Sequence, residues 1–172
     1  MKLHLVVLLR CVYTYGSVGD TVRSSCPNQT DAWKNLNSRG PGKYFLLEAT
    51  TPNPYECAYV DQPTFISENE KSANITFGSR DKDGEGLIKL LGTVRAEGDK
   101  LHLTGGRGGM TTLLHAEYGT CDVFLAPTGA CELWVHEKVL RTRSYGCCST
   151  KFQECAKSSS VQHPYQEGCL RQ

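Results

Sequence analysis

Beyond its first residues the chain has no long apolar run, no excess charge of either sign and no basic block. Its 172 residues carry 19 lysines and arginines against 18 aspartates and glutamates, a formal net charge of +1. That balance argues against nucleic acid or heparin as a partner. After the leader, no stretch approaches the ~18 apolar residues of a membrane span. There is no internal repeat and no long alternation of strands with helices. Motifs that carry chemistry are also missing. Gly105 to Gly109 lacks the Lys-Ser/Thr of a phosphate loop and reads as a hairpin loop. Asp81, Asp83 and Glu85 do not have EF-hand spacing. His102, His115, His136 and His163 lack zinc-ligand spacing. No serine or cysteine sits in a nucleophile motif. These absences predict a protein that is not an enzyme and uses no cofactor or metal.

What is present begins with nine cysteines. Six crowd the last third: Cys121, Cys131, Cys147, Cys148, Cys155 and Cys169. Cys26 and Cys57 lie upstream, and Cys11 lies in the leader. Thiols at this density persist oxidised only outside the reducing cytosol. Residues 1–19 read as a signal peptide, with Lys2 at its charged end and Leu3 to Leu9 as its apolar run. Ser17-Val18-Gly19 offers the small residues of a cleavage point. His4 and Arg10 interrupt that run. Cleavage there removes Cys11 and leaves an even eight, which suits full pairing. The expectation is a secreted, extracellular, soluble protein whose residues 20–172 form one domain of roughly 150 residues. In that compartment Asn28-Gln29-Thr30 and Asn74-Ile75-Thr76 become N-glycosylation sequons.

Asp31 to Leu36 predicts one short helix with Thr30 or Asp31 at its N-cap. Strand signals follow over 44–50, 57–60, 73–77, 87–94, 101–103, 111–118, 121–125 and 131–139. Asp83-Gly84 and Pro127-Thr128-Gly129 mark turns. Residues 149–157 predict a second helix with Phe152 and Cys155 on one face. About eight short strands in series, with a helix at each end, fit a closed barrel or a sandwich.

Two groups of segments are more specific. One is Asp31-Ala-Trp-Lys-Asn-Leu36 followed by Tyr44-Phe-Leu-Leu-Glu-Ala-Thr50. The other runs through Tyr118-Gly-Thr-Cys121-Asp122-Val123, Cys131-Glu132-Leu-Trp134-Val135, Cys147-Cys148 and Lys151-Phe152-Gln-Glu-Cys155. Together they resemble the tick salivary lipocalins of the histamine-binding type. The stretch from about Phe65 to Gly109 agrees only as strand pattern. The resemblance implies an all-β fold: an eight-stranded antiparallel up-and-down barrel, closed by the N-terminal helix, with a C-terminal helix packed outside. It implies the disulfide pairs Cys57–Cys169, Cys121–Cys148, Cys131–Cys155 and Cys26–Cys147. Eight cysteines allow 105 pairings by themselves. Neighbours such as Cys147 and Cys148 do not readily bridge each other.

The resemblance also implies a monomer that is injected at the bite and sequesters a small host inflammatory mediator, countering host defence. A biogenic amine such as histamine or serotonin leads. A buried cation needs carboxylates to receive it, and aromatic faces add attraction. Asp122 follows Cys121 on one strand. Glu132 and Trp134 share a face of the next by alternation, so the three are candidate ligand residues unless Trp134 is core and the acids are satisfied polar groups. Arg39 stands where the amine binders carry an acid, and Pro54 stands at a second such place. If Arg39 points inward, it opposes a cation and favours a carboxylate ligand such as a leukotriene; otherwise it is a solvated turn residue. A further alternative uses the barrel as a scaffold that binds a host complement or coagulation protein through the loops around 62–71 and 105–109.

Overall fold

A computed structural model describes residues 26–81, 86–105 and 108–171. The leader with Cys11, the Asp83-Gly84 turn and part of the Gly105 to Gly109 loop lie outside them. Helix α1, Ala32–Asn37, begins where Asp31 Oδ1 accepts the Lys34 N–H at 2.9 Å. That cap satisfies a backbone donor the helix itself leaves open. Nine strands follow: β1 Tyr44–Ala49, β2 Tyr59–Val60, β3 Thr64–Ser67, β4 Ser72–Arg80, β5 Leu87–Glu97, β6 Lys100–Thr104, β7 Gly109–Glu117, β8 Cys121–Leu125 and β9 Cys131–His136. Helices α2 Glu137–Leu140 and α3 Gly146–Ala156 come next, and a 3-10 turn spans Glu167–Arg171.

The strands pair antiparallel in the ring β1-β9-β8-β7-β6-β5-β4-β2, and β2 closes it by pairing with both β1 and β4. The result is a closed eight-stranded antiparallel barrel, with β3 appended to the side of β4. Because the closing strand is only two residues long, its packing must be tight. Tyr59, paired opposite Gly78, lays its ring over the glycine; a Cβ at Gly78 would fall well inside contact distance of that ring.

Two departures from the sequence reading have plain causes. The strand expected through Val139 stops at His136, because Tyr44, its partner, is the first residue of β1. There His136 Nδ1 accepts the Lys138 N–H at 3.1 Å and caps α2. Strand β3 carried no legible alternation, since Phe65 and Ile66 are both exposed.

Alternation on β8 and β9 sends Asp122, Phe124, Glu132 and Trp134 inward and Cys121, Val123, Cys131, Leu133 and Val135 outward. The outward set packs on Cys148, Phe152 and Ala156 of α3. Disulfides Cys121–Cys148 and Cys131–Cys155 bind the helix to this wall. Cys57–Cys169 and Cys26–Cys147 tie both ends of the described chain to the body across 112 and 121 residues. In the chain-entropy account each such closure removes about 4–5 kcal/mol of unfolded-state freedom. The pairing is the one the resemblance implies.

Helix α1 lies across one end of the barrel. Ala32 N–H donates to Gly98 O in the β5–β6 turn at 2.9 Å, and Ala116 N–H donates to Gln29 O at 2.8 Å. Ala32 and Leu36 join the interior cluster of Val94, Ala96, Leu101, Leu113 and Ala116. This end is therefore filled. Towards the other end the inward side chains Phe77, Leu90, Leu103, Glu132 and Trp134 are only half-buried.

Two predictions follow from this packing. Gly78→Ala should lower stability by about 1–3 kcal/mol, the usual cost of overpacking, measured by chemical denaturation with disulfides intact. The second concerns His115, fully buried between barrel and α3 with neither ring nitrogen partnered. Burial pushes its pKa below 6.5, with Glu117 and Glu154 pulling up and Lys151 pulling down. The unfolded chain then binds the proton first, so this histidine removes stability as pH falls below about 6.5. His115→Leu should show a shallower loss of stability than the wild type between pH 7 and pH 5.

Candidate functional site

The inner face of β8 and β9 is built by register. Asp122 pairs with Trp134 and Phe124 with Glu132 across these strands, while Leu46 and Ala49 of β1 flank Trp134 and Glu132 from the other side. Each two-residue step along a strand is about 7 Å. Glu132 thus stands one step farther from α1 than Asp122 and Trp134.

Asp122 is fully buried, and both its carboxylate oxygens are engaged. Oδ1 accepts a hydrogen bond from the Asn35 amide, and Oδ2 meets Arg39 Nη2 at 2.6 Å. The Arg39 side chain is 6% exposed, and its guanidinium lies 4.4 Å from the centre of the Tyr44 ring. Burial pushes the Asp122 carboxyl up, against the downward pull of the Arg39 charge and of the hydrogen bonds from Asn35 and Arg39. A donor on each oxygen suits the ionised form. Burial, and then the Asp122 charge, push the Tyr44 hydroxyl up, so it stays protonated. His136 packs edge-on against Tyr44 at 4.9 Å. Its Nδ1 accepts from Lys138, so Nε2 carries the hydrogen and donates to Pro41 O at 3.0 Å. Burial pushes this imidazole down, which matches its neutral form.

Glu132 has a different setting. Its Oε2 accepts the Trp134 indole N–H at 2.9 Å, and both residues are half-buried. The four candidate residues therefore come together as two pairs: Arg39 with Asp122, and Glu132 with Trp134. Arg39 points inward, and the carboxylate it meets belongs to the protein. Asn35, Tyr44 and His136 complete the cluster and were not singled out in the sequence. Asn35 had a usable signal: it is a polar residue beside Leu36, three positions after Ala32, on the buried face of α1. Tyr44 and His136 had none, because their roles arise from register.

Other clusters and grooves lie elsewhere. Ligand atoms of His115, Glu117 and Cys148 fall within 4.8 Å of one another, but the Cys148 sulfur is bonded to Cys121. That removes the thiolate a metal would need. A surface groove of about 850 Å³, lined by residues such as Lys71, Arg95, Glu97 and His102, includes none of the four candidates.

Residues 22–171 match the family model described as tick histamine binding protein. The chain belongs to this family. The structure of the AM182–serotonin complex is similar to it at 37% identity, covering 85% of this chain and 97% of that one, with a TM-score of 0.76. Two more distant structures share the fold alone: the cockroach major allergen Per a 4, at 17% identity and a TM-score of 0.54, and the siderocalin Ex-FABP, at 12% and 0.52. Per a 4 covers 86% of this chain and 99% of its own, and Ex-FABP covers 74% and 94%. A comparison with curated proteins found no match. The barrel of this family member is thus a lipocalin barrel with a largely filled helix-covered end, and its four disulfides are consistent with secretion.

The two kinds of ion pair in the structure should respond differently to truncation. Arg39→Ala leaves Asp122 charged and buried and should cost about 3–5 kcal/mol. Lys151→Ala, which breaks the 2.8 Å surface pair with Glu154, should change stability by less than about 0.5 kcal/mol. Denaturant midpoints of the two variants test this contrast.

Proposed function

We propose that this protein captures a small aromatic amine inside the barrel, with Glu132 receiving the ammonium and Trp134 offering its indole face, and that it acts as a secreted scavenger of host inflammatory amines. The observation that carries the reading is the half-buried Glu132–Trp134 pair on the inner wall of a barrel whose inward apolar side chains Phe77, Leu90 and Leu103 are also only half-buried. A carboxylate offers about four lone-pair positions, so Glu132 can accept from the indole and from a ligand ammonium together. The indole face adds cation–π attraction. The similarity to a protein solved with serotonin supports the same ligand class.

A leukotriene-like carboxylate fits less well. The cation that would receive it, Arg39, is already held by Asp122 at 2.6 Å with almost no exposure. A lipid carboxylate would have to displace a buried protein carboxylate.

Calorimetric titration of the folded, disulfide-intact protein with serotonin, histamine and a leukotriene tests the reading. Saturable binding of an amine and a loss of at least tenfold in Glu132→Gln, with thermal stability kept, are the expected results. No heat with either amine, or an unchanged affinity in Glu132→Gln, would remove Glu132 from a ligand site.

A further inference from the structure

We propose that the outside of the barrel carries a second binding site, in the groove between β1 and the C-terminal segment, and that it takes a zwitterionic amino acid with a large apolar side chain. Glu48 receives the ammonium there, and Arg141 and Arg143 receive the carboxylate. The site is separate from the barrel interior and does not rest on the amine reading above.

The groove has a volume of about 820 Å³ and lies between the outer face of β1, the end of α2 with the turn after it, and side chains between 163 and 170. Its walls are fixed. Ala49 and Gln162 exchange backbone hydrogen bonds of 3.0 and 2.8 Å, and Cys57 N–H donates to Pro164 O at 3.0 Å. The Cys57–Cys169 bridge ties down the end of the segment.

A bulge in β1 puts the acid in this groove. Leu46 pairs with the inward Trp134, but an extra residue follows, so that Glu48 pairs with the outward Leu133. Without that extra residue, alternation would turn Glu48 into the barrel. Glu48 Oε2 is buried without a hydrogen-bond partner. Such an atom calls for a donor, and a ligand ammonium carries three.

A second irregularity supplies the cations. Helix α2 ends at Leu140, and Arg143 N–H donates to Val139 O at 2.9 Å with Arg143 in the left-handed region at φ 54°. Glycine is the usual residue at such a helix end; here it is an arginine. Residues two apart on a continuing helix do not face each other, yet Arg141 and Arg143 line the same groove. Both are exposed, and among the described residues neither forms an ion pair with Glu48 or any other acid. A guanidinium suits a carboxylate by paired hydrogen bonds.

Charge and lining decide the ligand class. The two arginines offset Glu48 and Glu167, with His163 the one histidine in the lining. A molecule bearing both charges therefore fits better than a lone anion or cation. Burial, and then the Glu167 charge, push the Tyr165 hydroxyl up against the pull of Arg141, so it stays protonated and can donate to a carboxylate. Half-buried Leu47, Leu140 and Leu170 offer apolar surface to the ligand side chain.

Calorimetric titration of the folded, disulfide-intact protein with L-tryptophan tests the site. Tryptophan should bind saturably, and saturating serotonin should leave that binding unchanged. Tryptamine and indole-3-propionate carry the same ring with one charge each, and should compete at least about tenfold more weakly than tryptophan. Glu48→Gln, and the paired change Arg141→Gln with Arg143→Gly, should each weaken tryptophan at least about tenfold. Arg143→Gly alone should weaken it without lowering Tm, since glycine suits that backbone; a purely structural arginine would not show this split. If Glu48→Gln does not fold, the exposed arginine pair decides alone. The proposal is overturned if tryptophan shows no saturable binding, if serotonin displaces it, or if the arginine pair leaves its affinity unchanged. Equal competition by either singly charged analogue also overturns it, because the groove would then not read a zwitterion. Should the protein bind no amine at all, the barrel reading fails, and the Glu48 and arginine variants still decide this one.

Discussion

The buried charge on Asp122 sets the terms for the helix-covered end of this barrel. A carboxylate with no exposure is tolerable only with a counter-charge and hydrogen bonds. Here both come from one short stretch of chain, Asn35 in α1 and Arg39 just after it. The acid on β8 thereby fixes where the helix lies and how the following turn enters β1. Tyr44, the first residue of that strand, supports the guanidinium with its ring and meets His136 at the end of β9. One carboxylate thus coordinates the covering helix, the first strand and the last.

The outside of the same wall is held by covalent means. Cys121 and Cys131 stand beside Asp122 and Glu132 in sequence and point the opposite way, because side chains alternate across a strand. Their bridges to α3 brace the backbone that presents the inner residues. The apolar stripe of Val123, Leu133, Val135 and Phe152 fills the space between the bridges. A fully buried histidine without hydrogen bonds is accepted in this layer because it stays neutral.

Along the inner wall, a filled end gives way to a partly accessible one. The two acids differ accordingly. Asp122 is in the filled end and saturated by the protein, while Glu132 is a step away, half-buried against an indole. Chemically similar residues, close together on adjacent strands, thereby stand in different settings: one is held by the protein's own donors in the filled end, and the other, paired with the indole, is the one proposed to receive a ligand.

Much of this was legible in the residues. The short helix came from its cap and flanking breakers, the strands from alternation, and the oxidised state from cysteine density; those local signals survive in any fold that uses them. The family resemblance supplied the barrel and the cysteine pairing, which 105 possibilities left open to sequence alone. Strand β3 and the turn of helix at Glu137–Leu140 were not legible, since exposure and the end of a partner strand decide them. By itself, the sequence determined that Glu132 and Trp134 share one face, because their spacing of two is a local property of a strand. Only the tertiary structure decided what Arg39 does. A side chain in a turn can face solvent, a ligand or another residue, and the choice depends on a carboxylate 83 positions away that folding brings to it.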